Sequence, residues 1–324
     1  MLSRRGCALA AVLAAVFAVA VGVFLAGWYG SGPLEEDGTF IVSNGASLTA
    51  VAQRLEEKGV VSSASGFTLR ARVLGGGRDI KAGEFAIPAH ASPSQVLEII
   101  TSDDVIRRFV TIPEGMPSIM VYERLMAQDH LTGEIAVPDE GSVLPDSYAF
   151  ERGEPREAVL RRMQAAMSRT LAELWANRDP NLVVKTPEEA LTLASVVEKE
   201  TGKPSERQMV AGLYSNRLKQ GMMLQADPTI IYPITRGKPL GRRIRQSEIQ
   251  AVNDYNTYSM VGLPKHPITN PGRESIAAVL HPAKTEALYM VADGTGGHAF
   301  ANTLAEHNSN VAKWFAIRRE RGEL

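Results

Sequence analysis

The chain has 324 residues, 44% of them apolar and 22% charged, with a formal net charge of -1 and one cysteine, Cys7. Its length exceeds what one compact domain usually takes, and its composition is that of a globular protein able to fill a core. The charge balance offers no basic face for a polyanion, which argues against a nucleic-acid partner. A lone cysteine excludes internal disulfides and a cysteine-rich zinc site.

After Arg4 and Arg5 no charge appears until Glu35. Residues 7–28 form an apolar run long enough for a spanning helix, which needs about 20 residues. The apolar core of a cleaved signal peptide is usually shorter, about 7–15 residues, so an anchor is the expectation. With Arg4 and Arg5 preceding the helix, residues 1–6 form a cytoplasmic tail and the rest is exported. Trp28 and Tyr29 are expected at the membrane interface. Residues 29–38 are Gly-rich and polar and read as a linker.

Residues 39–103 form a small unit. Thr39–Val42 reads as a strand. Ser47 caps a helix with apolar positions Leu48, Val51, Ala52 and Leu55 at the 3.6-residue period, and Gly59 follows it. Ser65–Leu74 reads as a second helix, Glu84–Ile87 as a second strand, and Ser92-Pro93 opens a further helix. This βααβ order resembles the LysM module, which binds chitin-like and peptidoglycan sugars; a small spacer that binds nothing is the other reading. Residues 104–324 form a larger α+β unit. It begins with a strand over 107–112 and a helix over 118–127, and Arg156–Asn177 is a long amphipathic helix.

One segment breaks a local rule. Thr186-Pro187-Glu188-Glu189 carries the signals of a helix start. The helix then runs through residues 190–197, apolar around nearly its whole circumference, which marks it as buried. Its last turn carries Glu198, Lys199 and Glu200, and Gly202 follows. Acids at a buried helix C-terminus face the negative end of the dipole and an apolar surround, which is how a general acid working near neutrality is made; two surface glutamates on a frayed end, paired with Lys199, are the other reading of this segment and, from the segment alone, the favoured one. The helical wheel does not choose between them: Glu198 projects near Leu191 and Ala194, Glu200 near Leu193 and Val196. A second capping box, Ser205 to Gln208, starts the next helix, which ends at Gly221. In the stretch 223–232, Gln225, Asp227, Thr229 and Tyr232 stand among apolar residues, a mixture suited to a sugar cleft.

Together these segments resemble a known family. ASVVEKETG (194–202), SERQMVAGLYSNRL (205–218), GMMLQADPTIIY (221–232), YNTYSMVGLPKHPITNPG (255–272) and HPAKTEALYMVADGTGGHAFANTLAEHN (281–308) closely resemble the MltG-like (YceG-like) endolytic murein transglycosylases, and LPDSYAF (144–150) is similar to an earlier motif of that family. One departure stands at Lys265-His266, where the family usually has Pro-Gly. The resemblance implies an α+β catalytic unit behind a membrane anchor and a LysM-like unit. It also implies cleavage of the MurNAc–GlcNAc bond of nascent peptidoglycan strands, leaving 1,6-anhydro-MurNAc ends and terminating strand elongation. It assigns the catalytic acid/base to Glu198, the first acid of VEKET, and leaves Glu200 a supporting role. Gln225, Asp227, Thr229, Tyr232, Tyr255, Asn256 and Tyr258 are candidate substrate contacts, and Asn216 is a candidate to orient Glu198. Cell-wall synthases are the implied protein partners, and the implied location is the bacterial plasma membrane with the catalytic unit outside.

No cofactor is expected. The six histidines show no zinc-hydrolase spacing, and neither Gly75–Gly77 nor Gly294–Gly297 has the Lys-Ser/Thr of a phosphate loop. His298 is expected to be structural. Two rival functions stand beside the main one: a muramidase that uses water, and a non-catalytic glycan-binding scaffold.

Overall fold

A computed structural model of the protein describes residues 4–323, so residues 1–3 of the expected cytoplasmic tail lie outside the described residues. The chain divides into two compact units, Met1–Arg108 and Phe109–Leu324.

The first unit begins with helix α1 (Arg4–Tyr29), whose segment Leu9–Tyr29 is long and apolar enough to cross a membrane. Most of its side chains are exposed, with Phe17 at 71%. Trp28 departs from the interfacial position expected for it. It is only 3% exposed and packs in the core of the small unit, its ring centroid 6.0 Å from that of Phe67. The cause is a tie between α1 and a later helix: Arg70 Nε donates to the Phe24 carbonyl at 2.9 Å, and the guanidinium lies over the Phe24 ring. The expected linker is also held in place. Gly32 N donates to the His90 carbonyl at 3.1 Å, and His90 N donates to the Leu34 carbonyl at 2.7 Å.

Strand β1 (Gly38–Val42), helices α2 (Leu48–Glu57) and α3 (Ala64–Leu74), strand β2 (Gly83–Ile87) and helix α4 (Pro93–Thr101) complete this unit. β1 and β2 pair antiparallel with Phe40 opposite Phe85, and alternate residues point into a core that holds Leu55, Phe67 and Ile87. Ser47 caps α2 by accepting from Ala50 N, and the apolar positions Val51, Ala52 and Leu55 are buried as their spacing requires. Ser92 and Gln95 form a complete capping box at the start of α4.

The second unit is mainly helical, with short strand pairs. β3 (Arg108–Thr111) pairs with β4 (Ser147–Phe150). Helices α5 (Ser118–Met126) and α6 (Arg156–Ala176) pack near this pair, sharing a core with Met163 at its centre. Helix α7 (Pro187–Glu200) is the central element: Ala190, Leu193, Ala194, Val196 and Val197 are each 0% exposed. It shares one core with α8 (Arg207–Lys219) and α11 (Arg273–Leu280). Between α8 and α11 lie α9 (Asp227–Thr235) and the short α10 (Gln246–Ile249). The chain ends with the antiparallel pair β5 (Tyr289–Ala292) and β6 (His298–Ala301), followed by α12 (Leu304–Glu320).

The capping box expected over Ser205–Gln208 does not form. A single 3-10 turn, Pro204–Glu206, leads into α8. Glu206 is occupied elsewhere, accepting from His298 N at 3.1 Å and meeting His298 Nδ1 at 2.8 Å. His298 thus ties β6 to the start of α8.

Candidate active site

The last turn of α7 sends its two acids to different places. The Glu198 carboxylate is 6% exposed. Its Oε2 accepts the Gly272 N–H at 2.9 Å, and its Oε1 stands 3.9 Å from Arg207 Nη2. Arg207 also donates to Glu114 at 2.7 Å, and Gly115 packs against the Glu198 stem. Glu198 is therefore a brace linking the end of α7 to the start of α11, the start of α8 and the Glu114-Gly115 turn.

Glu200, on the opposite side of the same turn, lines an open cavity of about 450 Å³ together with Tyr214, Arg217, Gln225, Asp227 and Tyr258. Tyr214 hydrogen-bonds its carboxyl. Its Oε1 is buried and has no hydrogen-bond partner among the described residues. Burial pushes the Glu200 carboxyl up to about 7, and the neighbouring Asp227 adds to the rise against the opposing pull of Tyr214 and Arg217. A buried carboxyl that lines a cavity and keeps one oxygen without a partner is poised to exchange a proton with a ligand.

The other wall of this cavity is built by α9. Asp227 is its first residue, in the turn where the helix dipole favours a negative side chain, and Tyr258 Oη donates to Asp227 Oδ1 at 2.7 Å. Burial raises the Tyr258 hydroxyl, and its bond to Asp227 raises it further, so it serves as a donor. Gln225, just before α9, has φ +52°, a left-handed backbone that a non-glycine residue adopts only under constraint. Arg217 supports the floor, donating to the carbonyls of Leu224 and Leu288 at 2.7 Å each.

The remaining candidates fall into two groups. Tyr232 and Tyr255 line a second cavity, also of about 450 Å³, with ring centroids 4.9 Å apart. Thr229, Asn256 and Asn216 are structural. Thr229 is 0% exposed and bonded to Thr257 and the Ala226 carbonyl. Asn256 Nδ2 donates to the carbonyls of Ile249 and Ala251. Asn216 Nδ2 donates to the Thr285 and Ala287 carbonyls and makes no hydrogen bond to Glu198 among the described residues. Each was expected to touch substrate or orient Glu198. Each instead spends its polar group on a loop, which is the usual fate of buried amides and hydroxyls.

Sequence reasoning missed Glu140, which lines the second cavity. Its Oε1 accepts the Ser118 N–H at 2.8 Å, and burial pushes the carboxyl up to about 7. The available signal was an acid next to Gly141, whose φ of +80° and close contact with Pro267 mark a constrained turn. Among the described residues no group of three or more His, Cys, Asp or Glu is arranged to hold a metal ion.

The sequence profile of the YceG-like family matches residues 40–313. The chain belongs to the YceG-like family. An endolytic murein transglycosylase of Bacillus subtilis is 25% identical to this YceG-like chain over 336 residues, covering 93% of the chain and 92% of that protein. A protein of the same name from Streptococcus pneumoniae is 35% identical over 181 residues, 54% of this chain and 32% of that longer protein. The crystal structure of a YceG-like protein of Listeria monocytogenes superposes with a TM-score of 0.54 at 24% identity, over 85% of this chain and 98% of that one. That likeness shows the fold.

Proposed function

We propose that the chain is a membrane-anchored endolytic murein transglycosylase in which Glu200, rather than Glu198, is the acid/base. The observation that carries this reading is the Glu200 carboxyl, which faces a cavity with one oxygen unpartnered and its proton held to about pH 7. Glu198 is committed to a backbone N–H and lies outside that cavity's lining. The names of the B. subtilis and S. pneumoniae relatives support the reaction class.

In the reaction, protonated Glu200 gives its proton to the glycosidic oxygen as the bond from the MurNAc anomeric carbon breaks. The resulting carboxylate then takes the proton of the MurNAc 6-hydroxyl as that oxygen bonds the same carbon. The products are a 1,6-anhydro end and a free GlcNAc 4-hydroxyl, and Glu200 is reprotonated. Because the substrate supplies its own nucleophile, the carboxylate pair of ordinary glycosidases is not required. Asp227, positioned by Tyr258, supplies negative potential for the oxocarbenium-like transition state.

α1 anchors the chain in the membrane with the N-terminus cytoplasmic, so that cleavage takes place outside, where strands emerge from cell-wall synthases. The small unit is LysM-like and grips glycan. Its β1-α2-α3-β2 order and a cavity of about 570 Å³ lined by Leu48, Gly75, Arg78 and Ile80 support this role.

The deciding experiment digests purified glycan strands with wild type and Glu200→Gln and reads product ends by mass spectrometry. Anhydro ends that vanish in a folded variant are expected. Reducing ends mean a water-using muramidase, anhydro ends that persist in Glu200→Gln return the acid to Glu198, and full cellular function of a chain carrying both Glu198→Gln and Glu200→Gln means a scaffold.

A further inference from the structure

The second cavity of the catalytic unit has no part in the proton transfer, yet it is built as a ligand site. It shares α9 as a wall with the Glu200 cavity. Asp227, Pro228 and Ile231 face the Glu200 cavity, whereas Tyr232 and Arg236 face the second. The tilted Tyr232–Tyr255 pair and Pro138 and Pro267 give it apolar walls suited to the C–H face of a sugar ring. Glu140 and the Tyr232 hydroxyl hydrogen-bond each other inside it. Arg236 and His266 are exposed donors at its rim.

We propose that this cavity is a second saccharide subsite, which holds an uncharged N-acetylated hexose ring of the strand on the far side of α9 from Glu200. The inference rests on the glycan-cleaving reading and adds to it where the strand runs. Several observations favour a neutral sugar over the carboxylates of a stem peptide. The cavity places two acids, Asp139 and Glu140, beside its aromatic walls. A carboxyl that carries a proton can donate to a hydroxyl or an acetamido carbonyl and accept from the acetamido N–H, whereas an anionic ligand would face those acids. Arg236, the exposed left-handed C-cap of α9 at φ +57°, stands near enough to Glu140 to oppose the burial that raises its carboxyl, so the positive charge at the rim is set against an acid of the cavity itself. The same α9 serves both cavities, so a strand gripped here is held in register with the acid.

The test uses full-length Glu200→Gln protein in detergent, so that binding is read without turnover, with chitotetraose as the probe. Hydrogen–deuterium exchange gives a local readout that the small unit cannot mimic. Chitotetraose is expected to protect residues 137–140 and 253–267. Tyr255→Ala should weaken that protection about tenfold in sugar concentration, while Tyr255→Phe retains it. Arg236→Gly changes an exposed position whose backbone glycine accommodates, and should weaken the protection several-fold even if the Tyr255→Ala chain misfolds. The inference is overturned if chitotetraose protects the Glu200 cavity but not these segments, if the Arg236→Gly protein binds unchanged, or if a free stem peptide protects them and chitotetraose does not. The cleavage reading fails separately: wild-type protein that leaves glycan strands uncut sinks the activity but not a Tyr255-dependent sugar site.

Discussion

Glu198 and Glu200 are separated by one residue and about 200° of helix, and they end in unlike surroundings. Glu198 Oε2 is held by the Gly272 N–H at 2.9 Å, whereas Glu200 Oε1 is buried beside a cavity with no partner among the described residues. One turn of α7 thus carries a bonded carboxylate and a carboxyl with an unpartnered oxygen on opposite sides.

The two carboxyls should separate cleanly on mutation. Glu200→Gln is expected to lower cleavage by about 10³-fold, within the range that general acid–base catalysis contributes, with its fold intact. Glu198→Gln removes the charge from a buried hydrogen bond, which costs about 1–2 kcal/mol of stability and leaves most of the activity. Rates of anhydro-end formation and thermal melts of both variants check this. The reverse pattern, with Glu198→Gln dead but fully stable, returns the catalytic role to Glu198.

The raised Glu200 carboxyl sets the pH dependence. A general acid works in its protonated form, so the rate should fall as pH rises through about 7. Burial is the main cause of the rise and Asp227 the second. Asp227→Asn removes only the second, so the descending limb of the kcat profile should move to lower pH without reaching the ordinary carboxyl value. A limb that stays in place in Asp227→Asn removes Asp227 from this role.

The reading of the sequence and the structure agree where local physics dominates. The apolar period placed Val51, Ala52 and Leu55 in the core, and the all-round apolar stretch 190–197 is the buried heart of α7. They part where the outcome depends on partners distant in sequence. The wheel left Glu198 and Glu200 open because what separates them is the Gly272 N–H and the Tyr214 hydroxyl, contributed by other elements. Thr229 looked like a sugar ligand because a polar residue in an apolar run has the same pattern whether it meets a substrate or a stranded carbonyl, and the resemblance that marked Asn256 and Asn216 does not tell which loop carbonyls their amides reach. Trp28 ended in the core because Arg70, more than forty residues away, ties α1 to the small unit.

Stability should carry the mark of the same proton. In the folded protein Glu200 is raised from 4.5 to about 7, so between those values the folded state binds more protons than the unfolded one. Stability contributed by this proton is fully present below about pH 4.5 and is lost as pH rises through about 7, by up to about 3 kcal/mol. Glutamine does not titrate. Glu200→Gln should therefore melt higher than wild type at pH 8, and the gap should close by pH 4.5. Glu140 titrates alike in both proteins and cancels in the comparison. A gap that is the same at both values refutes the linkage.

The floor of the cavity depends on a buried pair of hydroxyls. Thr257 Oγ1 accepts the Ala226 N–H at 3.0 Å and meets Thr229 Oγ1 at 2.9 Å, and Thr229 Oγ1 donates to the Ala226 carbonyl at 2.6 Å. Thr257→Val keeps the shape but strands the Ala226 N–H, at a cost of about 1–3 kcal/mol. Thr257→Ser should restore most of that loss. Denaturant midpoints of the three proteins check it, and an unchanged midpoint for Thr257→Val means that the pair does not hold the loop.

Gln225 is the position where strain and function should trade most visibly. Its φ of +52° costs a side chain about 1 kcal/mol that glycine would not incur, yet its side chain lines the Glu200 cavity. Gln225→Gly should relieve the backbone while removing a polar group from the cleft. The expected result is a protein at least as stable as wild type, after allowing for the entropy that glycine adds to the unfolded chain, but with weaker substrate use. An increase in KM with little change in kcat would show that Gln225 contributes binding common to ground and transition states, whereas an equal fall in kcat and kcat/KM would show that it contacts the developing charge. Lower stability with unchanged kinetics would mean that the strained backbone serves packing alone.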